Sequence, residues 1–505
     1  MQLWKAAPRW APPIDTQKAE LPPLIVLLAA LPIVVVALLL GLKVPTLRAV
    51  LITLALTVAL SLIWFPVTRD DVVDLGPAMG ETILIVVVIV IGGTSLAELL
   101  TATGAQARIA DWLQQSAHNQ GRAILVVGLG VAPFAETIIG WGLGLVVSVP
   151  LLIRIGLSVR QSATIGLLGI LLGPWGSLAP AVLIMAQLGD VPFHTLGMWI
   201  AVLALPGIII MSLAVLLVGV GRREMRKHLG EAAVAVITMW LVIVAVSWLL
   251  GPPLAGVSGA VAAVVVLLFM GRLKHKQSIR MDRTVLRALA PYIFLGAGLL
   301  VSAVVVDFLD IGKFGEVLSG PAFWLVVTVF AAPQLLGAER RVVASARREG
   351  WRRAVPVALT TMLFVAFGGL LSLNGMSAAL AGAVAGLGSG FAIATPLVSA
   401  LAGYVTGSNS ATAAMLASGL SDAATGLGID PSQVLAVVMI AASNAVMASP
   451  PRLALAVSLA QHAPGSGGGV GIDAETSSQV NKTVLSANAV LLLALIGIFF
   501  TVIMR

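Results

Sequence analysis

PPLIVLLAALPIVVVALLLGL, residues 22 to 42, is a bilayer's width of chain without one charged side chain. About 20 apolar residues in a helix rising 1.5 Å per residue cross the roughly 30 Å hydrocarbon core. Stretches of the same character recur near 47 to 66, 80 to 99, 162 to 188, 196 to 220, 230 to 250, 256 to 271, 288 to 306, 320 to 337, 352 to 372, 433 to 462 and 483 to 503. The chain as a whole is 59% hydrophobic and 10% charged, with a mean hydropathy of +1.05; an ordinary soluble domain carries about 25% charged residues. These features specify an all-α polytopic membrane protein with about twelve transmembrane helices. Two more apolar segments, 121 to 156 and 393 to 422, are broken in the middle by glycines and polar residues, and read as re-entrant hairpins.

Composition also removes several chemistries. There is no cysteine, which excludes disulfides, thiolate metal sites and thiol catalysis. The five histidines, His118, His194, His228, His275 and His462, fall at span ends or in loops, so no metal or other cofactor is expected, nor an enzyme. The net charge of +8 does not point to nucleic acid, because it gathers in three connecting segments. These hold Arg222, Arg223, Arg226 and Lys227; then Arg272, Lys274, Lys276, Arg280, Arg283 and Arg287; then Arg340, Arg341, Arg347, Arg348, Arg352 and Arg353. The positive-inside rule assigns them to the cytoplasm. Acidic loops with Asp70, Asp71 and Asp74 and with Asp307, Asp310 and Glu316 fall on the opposite side when spans are counted off. Residues 1 to 21, with Trp4, Trp10, Pro12 and Pro13, lack the small-residue cleavage pattern of a signal peptide and read as a retained interfacial tail. Residues 103 to 118 put Ile109, Trp112 and Leu113 on one helical face, as an interfacial helix would.

The order of elements repeats. Sliding the first half onto the second brings Gly156 to Gly428, Gln161 to Gln433 and Ser177 to Ser449. Three spans, a hairpin, an interrupted span and a final span then coincide, and by the charge rule the two copies enter the membrane from opposite sides. The expected layout is an inverted repeat, 22 to 228 and 288 to 505, joined by a helix pair and basic loop at 229 to 287. Secondary transporters are often built this way, because two halves of opposite orientation can expose one central site to each side in turn.

Four polar interruptions carry the candidate site. Irregular backbone at membrane depth persists only where protein or a water-filled cavity covers it. The first, APFAETIIGWGLG from Ala132 to Gly144, holds Glu136 beside Thr137 and Gly140. A carboxylate there reads as a proton carrier, or else as a solvated group at a hairpin tip. The second, GPWGSLAP from Gly173 to Pro180, places Trp175, Gly176 and Ser177 between two prolines that break the helix. The third, GYVTGSNSAT from Gly403 to Thr412, offers Thr406, Gly407, Ser408, Asn409 and Ser410, more polar groups than close helix packing requires. The fourth, SNAVMASPPR from Ser443 to Arg452, contributes Ser443, Asn444, Ser449 and Arg452. An arginine fork suits a carboxylate ligand, while snorkelling to the surface or pairing with a protein carboxylate are the rival roles. With Glu136 the one acid among these sites, an anionic substrate is favoured over a cation.

The residues resemble a known family. The segment from Phe134 is similar to the Phe-x-Glu-Gly-Ala-x-Gly-Phe-Gly-x-Pro pattern of L-lactate permeases, with Phe134, Glu136, Gly140 and Gly142 matching and Trp141 in the aromatic place. Thr406 to Ser410 resembles that family's Thr-Gly-Ser-Asp-Thr, and Ser449-Pro450 its terminal Ser-Pro-Gln. Thr137, Gly144, Asn409 and Pro451 depart from the pattern. The resemblance implies proton-coupled uptake of lactate or glycolate across the bacterial inner membrane. It further implies a homodimer in lipid whose scaffold domain carries a mobile transport domain, moving as an elevator. A carrier of another organic anion or an oxyanion, driven by sodium, and an anion channel or structural subunit are the alternatives.

Overall fold

The computed structural model describes residues 22–42, 44–67, 69–115, 119–140, 142–275, 282–309, 315, 317–318, 320–463 and 474–504. Every regular element among them is helical. In chain order the α-helices are α1 (Pro23–Gly41), α2 (Thr46–Ile63), α3 (Arg69–Ala102), α4 (Ala105–Gln115), α5 (Gln120–Leu125), α6 (Ala132–Ile139), α7 (Leu143–Arg154), α8 (Val159–Gly169), α9 (Pro180–Leu188), α10 (Phe193–Leu203) and α11 (Leu205–Leu250). They continue as α12 (Pro252–His275), α13 (Arg283–Leu309), α14 (Pro321–Leu336), α15 (Arg340–Leu373), α16 (Met376–Ala385), α17 (Phe391–Thr406), α18 (Asn409–Gly426), α19 (Pro431–Val446), α20 (Pro450–His462) and α21 (Ala474–Ile498). A π-helical turn, Val126–Val131, joins α5 to α6, and a 3-10 turn, Gly173–Leu178, stands between α8 and α9.

The protein is a polytopic membrane protein. Among the described residues nine helices are long and apolar enough to cross a bilayer, or ten when the bent pair α19 and α20 is counted as one span. That is fewer than the twelve expected from apolar runs. The segment 162 to 188 is three short pieces rather than one helix. Residues 320 to 337 yield only the 16-residue α14. The expected spans 196 to 220 and 230 to 250 share one helical element, the 46-residue α11, which α10 precedes. Its two limbs fold back on each other at Gly221, whose φ of +77° and ψ of 166° are not helical. The reversal is fixed by two contacts from α10: Trp240 Nε1 donates to the Ala201 carbonyl at 3.1 Å, and His194 Nε2 lies 3.0 Å from the Trp248 carbonyl oxygen.

The basic segments, expected as loops, are also helical. Arg222 to Lys227 lie within α11, and Arg340 to Arg353 form the first turns of α15. Arginine and lysine are good helix formers, so a charged segment that leaves the membrane need not unwind. The described part of the interfacial segment is α4, with Ile109 buried. The N-terminal tail, His118, Asp310 and Glu316 lie outside the described residues, as do Lys276 and Arg280.

Burial separates two kinds of helix. α1 and α2 show most of their apolar side chains to the surroundings, as helices facing lipid do. By contrast, every residue from Val434 to Val446 of α19 is buried, and so is every residue from Ser162 to Gly169 of α8. A helix apolar and buried on all faces belongs at the centre of a bundle. The short helices and both helix-turn-helix segments therefore form the core that positions the site, with α17 packed along α19, α18 against α9, and α20 against α7 and α8.

Candidate functional site

The first interruption is a tight turn between α6 and α7. The Gly140 N–H donates to the Glu136 carbonyl at 2.7 Å and closes α6. Gly140 and Gly142 then take φ of +69° and +83°, values that side-chain-bearing residues rarely adopt. The turn points two amides back at Glu136. The Gly142 N–H donates to its Oε2 at 3.2 Å and to Oε1 at 3.4 Å, and the Gly144 N–H to Oε2 at 3.3 Å. Glu136 is thereby held by backbone at the head of α7, where helix N–H groups favour negative charge. Its side chain is 5% exposed.

The charge that meets it comes from the far end of the sequence. Arg452 Nη1 donates to Glu136 Oε1 at 2.9 Å, and the arginine side chain is 14% exposed. Arg452 sits in the first turn of α20, which begins at Pro450 after the break in the interrupted span. Proline suits the first position of a helix, where no N–H partner is needed. A β-carbon on Gly142 would lie 3.0 Å from Arg452 Nη1, so the glycine at the turn also gives the guanidinium its place.

The second hairpin turn lies beside the same break. Ser408 caps α18 by accepting from the Ala411 N–H at 3.3 Å. Gly407, at φ +61°, lies against Ser449: a β-carbon there would be 3.3 Å from Ser449 Oγ. Thr406 Oγ1 donates to the Ala402 carbonyl at 2.7 Å and is 3.3 Å from Thr412 Oγ1, and Ser410 is buried on the same turn. Asn409 Nδ2 bridges to the second and fourth interruptions, donating to the Gly173 carbonyl at 2.9 Å and to Ser443 Oγ at 3.0 Å. Gly173 faces Ser443 so closely that a β-carbon would collide with its Oγ. The 3-10 turn in turn approaches the first hairpin, since a β-carbon on Gly176 would be 3.5 Å from the Glu136 carbonyl oxygen. All four interruptions are thus linked by contact.

Not every candidate faces this centre. Asn444 donates from Nδ2 to Ile440 of its own helix at 2.8 Å and lies toward Gly207 of α11. Thr137 donates to the Phe134 carbonyl at 3.0 Å, and its methyl faces Gly256 of α12 alongside the fully buried Trp175. The side chain of Ser177, and Trp141, lie outside the described ones. Among the described residues several buried atoms at the breaks have no hydrogen-bond partner: Asn409 Oδ1, Ser449 Oγ, Trp175 Nε1 and Asn444 Oδ1. In a buried setting such groups are costly unless something fills their bonding capacity.

Sequence reading missed the amides of Gly142 and Gly144 as ligands of Glu136, and the Gly173 carbonyl as partner of Asn409. The Gly-x-Gly-x-Gly spacing was the available signal for the first. It also missed a second buried pair. Arg122, at the start of α5, donates from Nε to Glu231 Oε2 at 3.0 Å and from Nη2 to Oε1 at 2.7 Å, in a fork-to-carboxylate geometry with Arg122 fully buried. This pair ties the foot of the first hairpin to the second limb of α11.

The family model for L-lactate permease matches residues 25–309, more than half of the chain. The chain belongs to the L-lactate permease family. It is accordingly a membrane transporter, and the matched part holds Glu136, Gly173 and Trp175, while the second hairpin, Ser443, Ser449 and Arg452 lie beyond it. No curated protein matches this permease-family chain. Two solved structures are similar to it. The YdaH transporter of Alcanivorax borkumensis is 14% identical at a TM-score of 0.49, over 94% of this chain and 98% of its own. MtrF of Neisseria gonorrhoeae, from a class of antimetabolite efflux pumps, is 13% identical at a TM-score of 0.49, over 92% of this chain and 97% of its own.

Proposed function

We propose that the protein is a secondary active carrier of a small monocarboxylate of the lactate or glycolate type, working as a proton symporter by alternating access. The observation that carries this reading is the meeting of all four interruptions around the Glu136 and Arg452 pair. An arginine at a helix start suits a carboxylate, and Glu136 takes the proton. The unfilled acceptors Asn409 Oδ1 and Ser449 Oγ suit the hydroxyl of a 2-hydroxy acid. The inverted repeat is supported at the helix starts. Ser158 caps α8 and Asp430 caps α19, each two residues after a positive-φ glycine, Gly156 or Gly428. In this reading the two hairpins and interrupted spans form the transport unit of an elevator, the remaining spans the scaffold of a homodimer. The basic helix ends face the cytoplasm of a bacterial inner membrane.

Proteoliposomes holding the purified protein should accumulate radiolabelled L-lactate or glycolate when the lumen is made alkaline. Absence of both this uptake and lactate counterflow rejects the proposal. A second reading, a sodium-driven carrier of a different organic anion, is favoured by the same neutral oxygens, since hydroxyls, amides and freed carbonyls also coordinate sodium. Thermal stabilisation across a panel of organic acids, with and without sodium, separates the two.

A further inference from the structure

The Glu136 and Arg452 pair has a charge balance that dictates what the site can accept. Arginine stays protonated in proteins, so with Glu136 ionised the pair sums to zero inside a nearly closed site. Of the five N–H donors on the guanidinium, one is used: among the described residues Nε and Nη2 of Arg452 make no hydrogen bond. A second carboxylate could approach, but it would leave the site with a net negative charge away from water, which is strongly disfavoured.

The described elements packed around α6 offer no other group to absorb that charge. Arg154 is bound to Asp111 at the far end of α7, Arg160 of α8 bonds Gln479, and Arg272 lies at the far end of α12. On α3, Glu98 is bound to Arg353, and the ring of Tyr292 of α13 packs tilted against Phe134. At the other end of α20, His462 bonds the Ser458 carbonyl.

We propose that Glu136 and the substrate carboxylate are alternative partners of Arg452, so that each single-charged anion enters with one proton on Glu136. This rests on the monocarboxylate reading above and makes it quantitative. Protonation turns the Glu136 carboxylate into a neutral carboxyl, releases Nη1 and leaves the fork of Arg452 to the substrate. The two glycine amides still find an acceptor in the carboxyl oxygen. Both the empty and the loaded site are then neutral, and both can cross as the carrier changes state. Transport is electroneutral at one proton per anion. A dianion is refused, because its second charge has no proton acceptor to balance it.

The test uses L-lactate as probe in proteoliposomes, with protein-free vesicles subtracted. Wild type is expected to accumulate lactate under a pH gradient and not under a valinomycin potassium potential alone; accumulation driven by the potential overturns the proposal. Lactate affinity, read by thermal shift, should weaken about tenfold per pH unit once Glu136 ionises. In Glu136→Gln, a neutral mimic of the protonated state, it should be flat with pH, and pH-driven lactate accumulation should be lost. A folded Glu136→Gln protein that binds no lactate, or one that still accumulates it, overturns the exchange of partners. A wild-type protein that moves neither lactate nor glycolate instead removes the monocarboxylate reading itself.

Discussion

Two glycines with nearly the same backbone angle separate function from stability at single residues. Gly407 and Gly337 have φ of +61° and +62°, yet a β-carbon at Gly407 meets Ser449 and Pro451 while one at Gly337 meets nothing within 4 Å. Alanine in that conformation costs about 1–2 kcal/mol wherever it stands. Gly337→Ala and Gly407→Ala should therefore lose similar stability in thermal unfolding, while only Gly407→Ala loses more than tenfold of substrate counterflow. Equal counterflow in the two variants would detach the second turn from transport. At this scale the sequence was most legible where a polar residue breaks an apolar run, because membrane interiors leave few reasons to keep one. It was silent on partnership. Glu136 and Arg452 each stand out alone, but nothing local joins residues 316 positions apart.

Helix starts are the decisive features at the level of elements. Ser158 accepts from the Gln161 N–H while Gln161 accepts from the Ser158 N–H, a reciprocal capping box, and Asp430 accepts from the Ser432 N–H at 2.8 Å. Ser158→Ala and Asp430→Ala should each lower stability by about 1 kcal/mol. Their effects should add in the double variant, since the caps belong to separate helices; chemical denaturation in detergent measures both. A marked departure from additivity would mean that the two helix starts are coupled through the core. Element boundaries were partly hidden by charge. Arg340 to Arg353 read as a loop because they are basic, whereas they continue the helix of α15 beyond its apolar part. At Gly173 the opposite holds: the two prolines and two glycines of the second interruption announced a break in the helix, and a 3-10 turn stands there.

Across the whole molecule, the buried Arg122 and Glu231 pair binds the first hairpin to α11. Removing one member of such a pair strands a charge, at a cost of about 3–5 kcal/mol, while replacing both by apolar residues is often neutral. Glu231→Leu should unfold at distinctly lower temperature than wild type, and Arg122→Leu with Glu231→Leu should recover most of the loss. A double variant as unstable as the single one would mean that the pair itself, rather than avoidance of a lone charge, holds the hairpin. The membrane character of the chain was fully legible in its composition, but contacts of this kind were not, because burial of a charge depends on tertiary packing. The separation of the Glu136 and Arg452 pair carries a consequence for biogenesis. Translation at about 5–20 residues per second delivers the arginine roughly 15–60 s after its partner. Over that interval Arg452 is not there to meet the Glu136 carboxylate, so the nascent first hairpin must keep that group hydrated or protonated until about the last tenth of the chain is made.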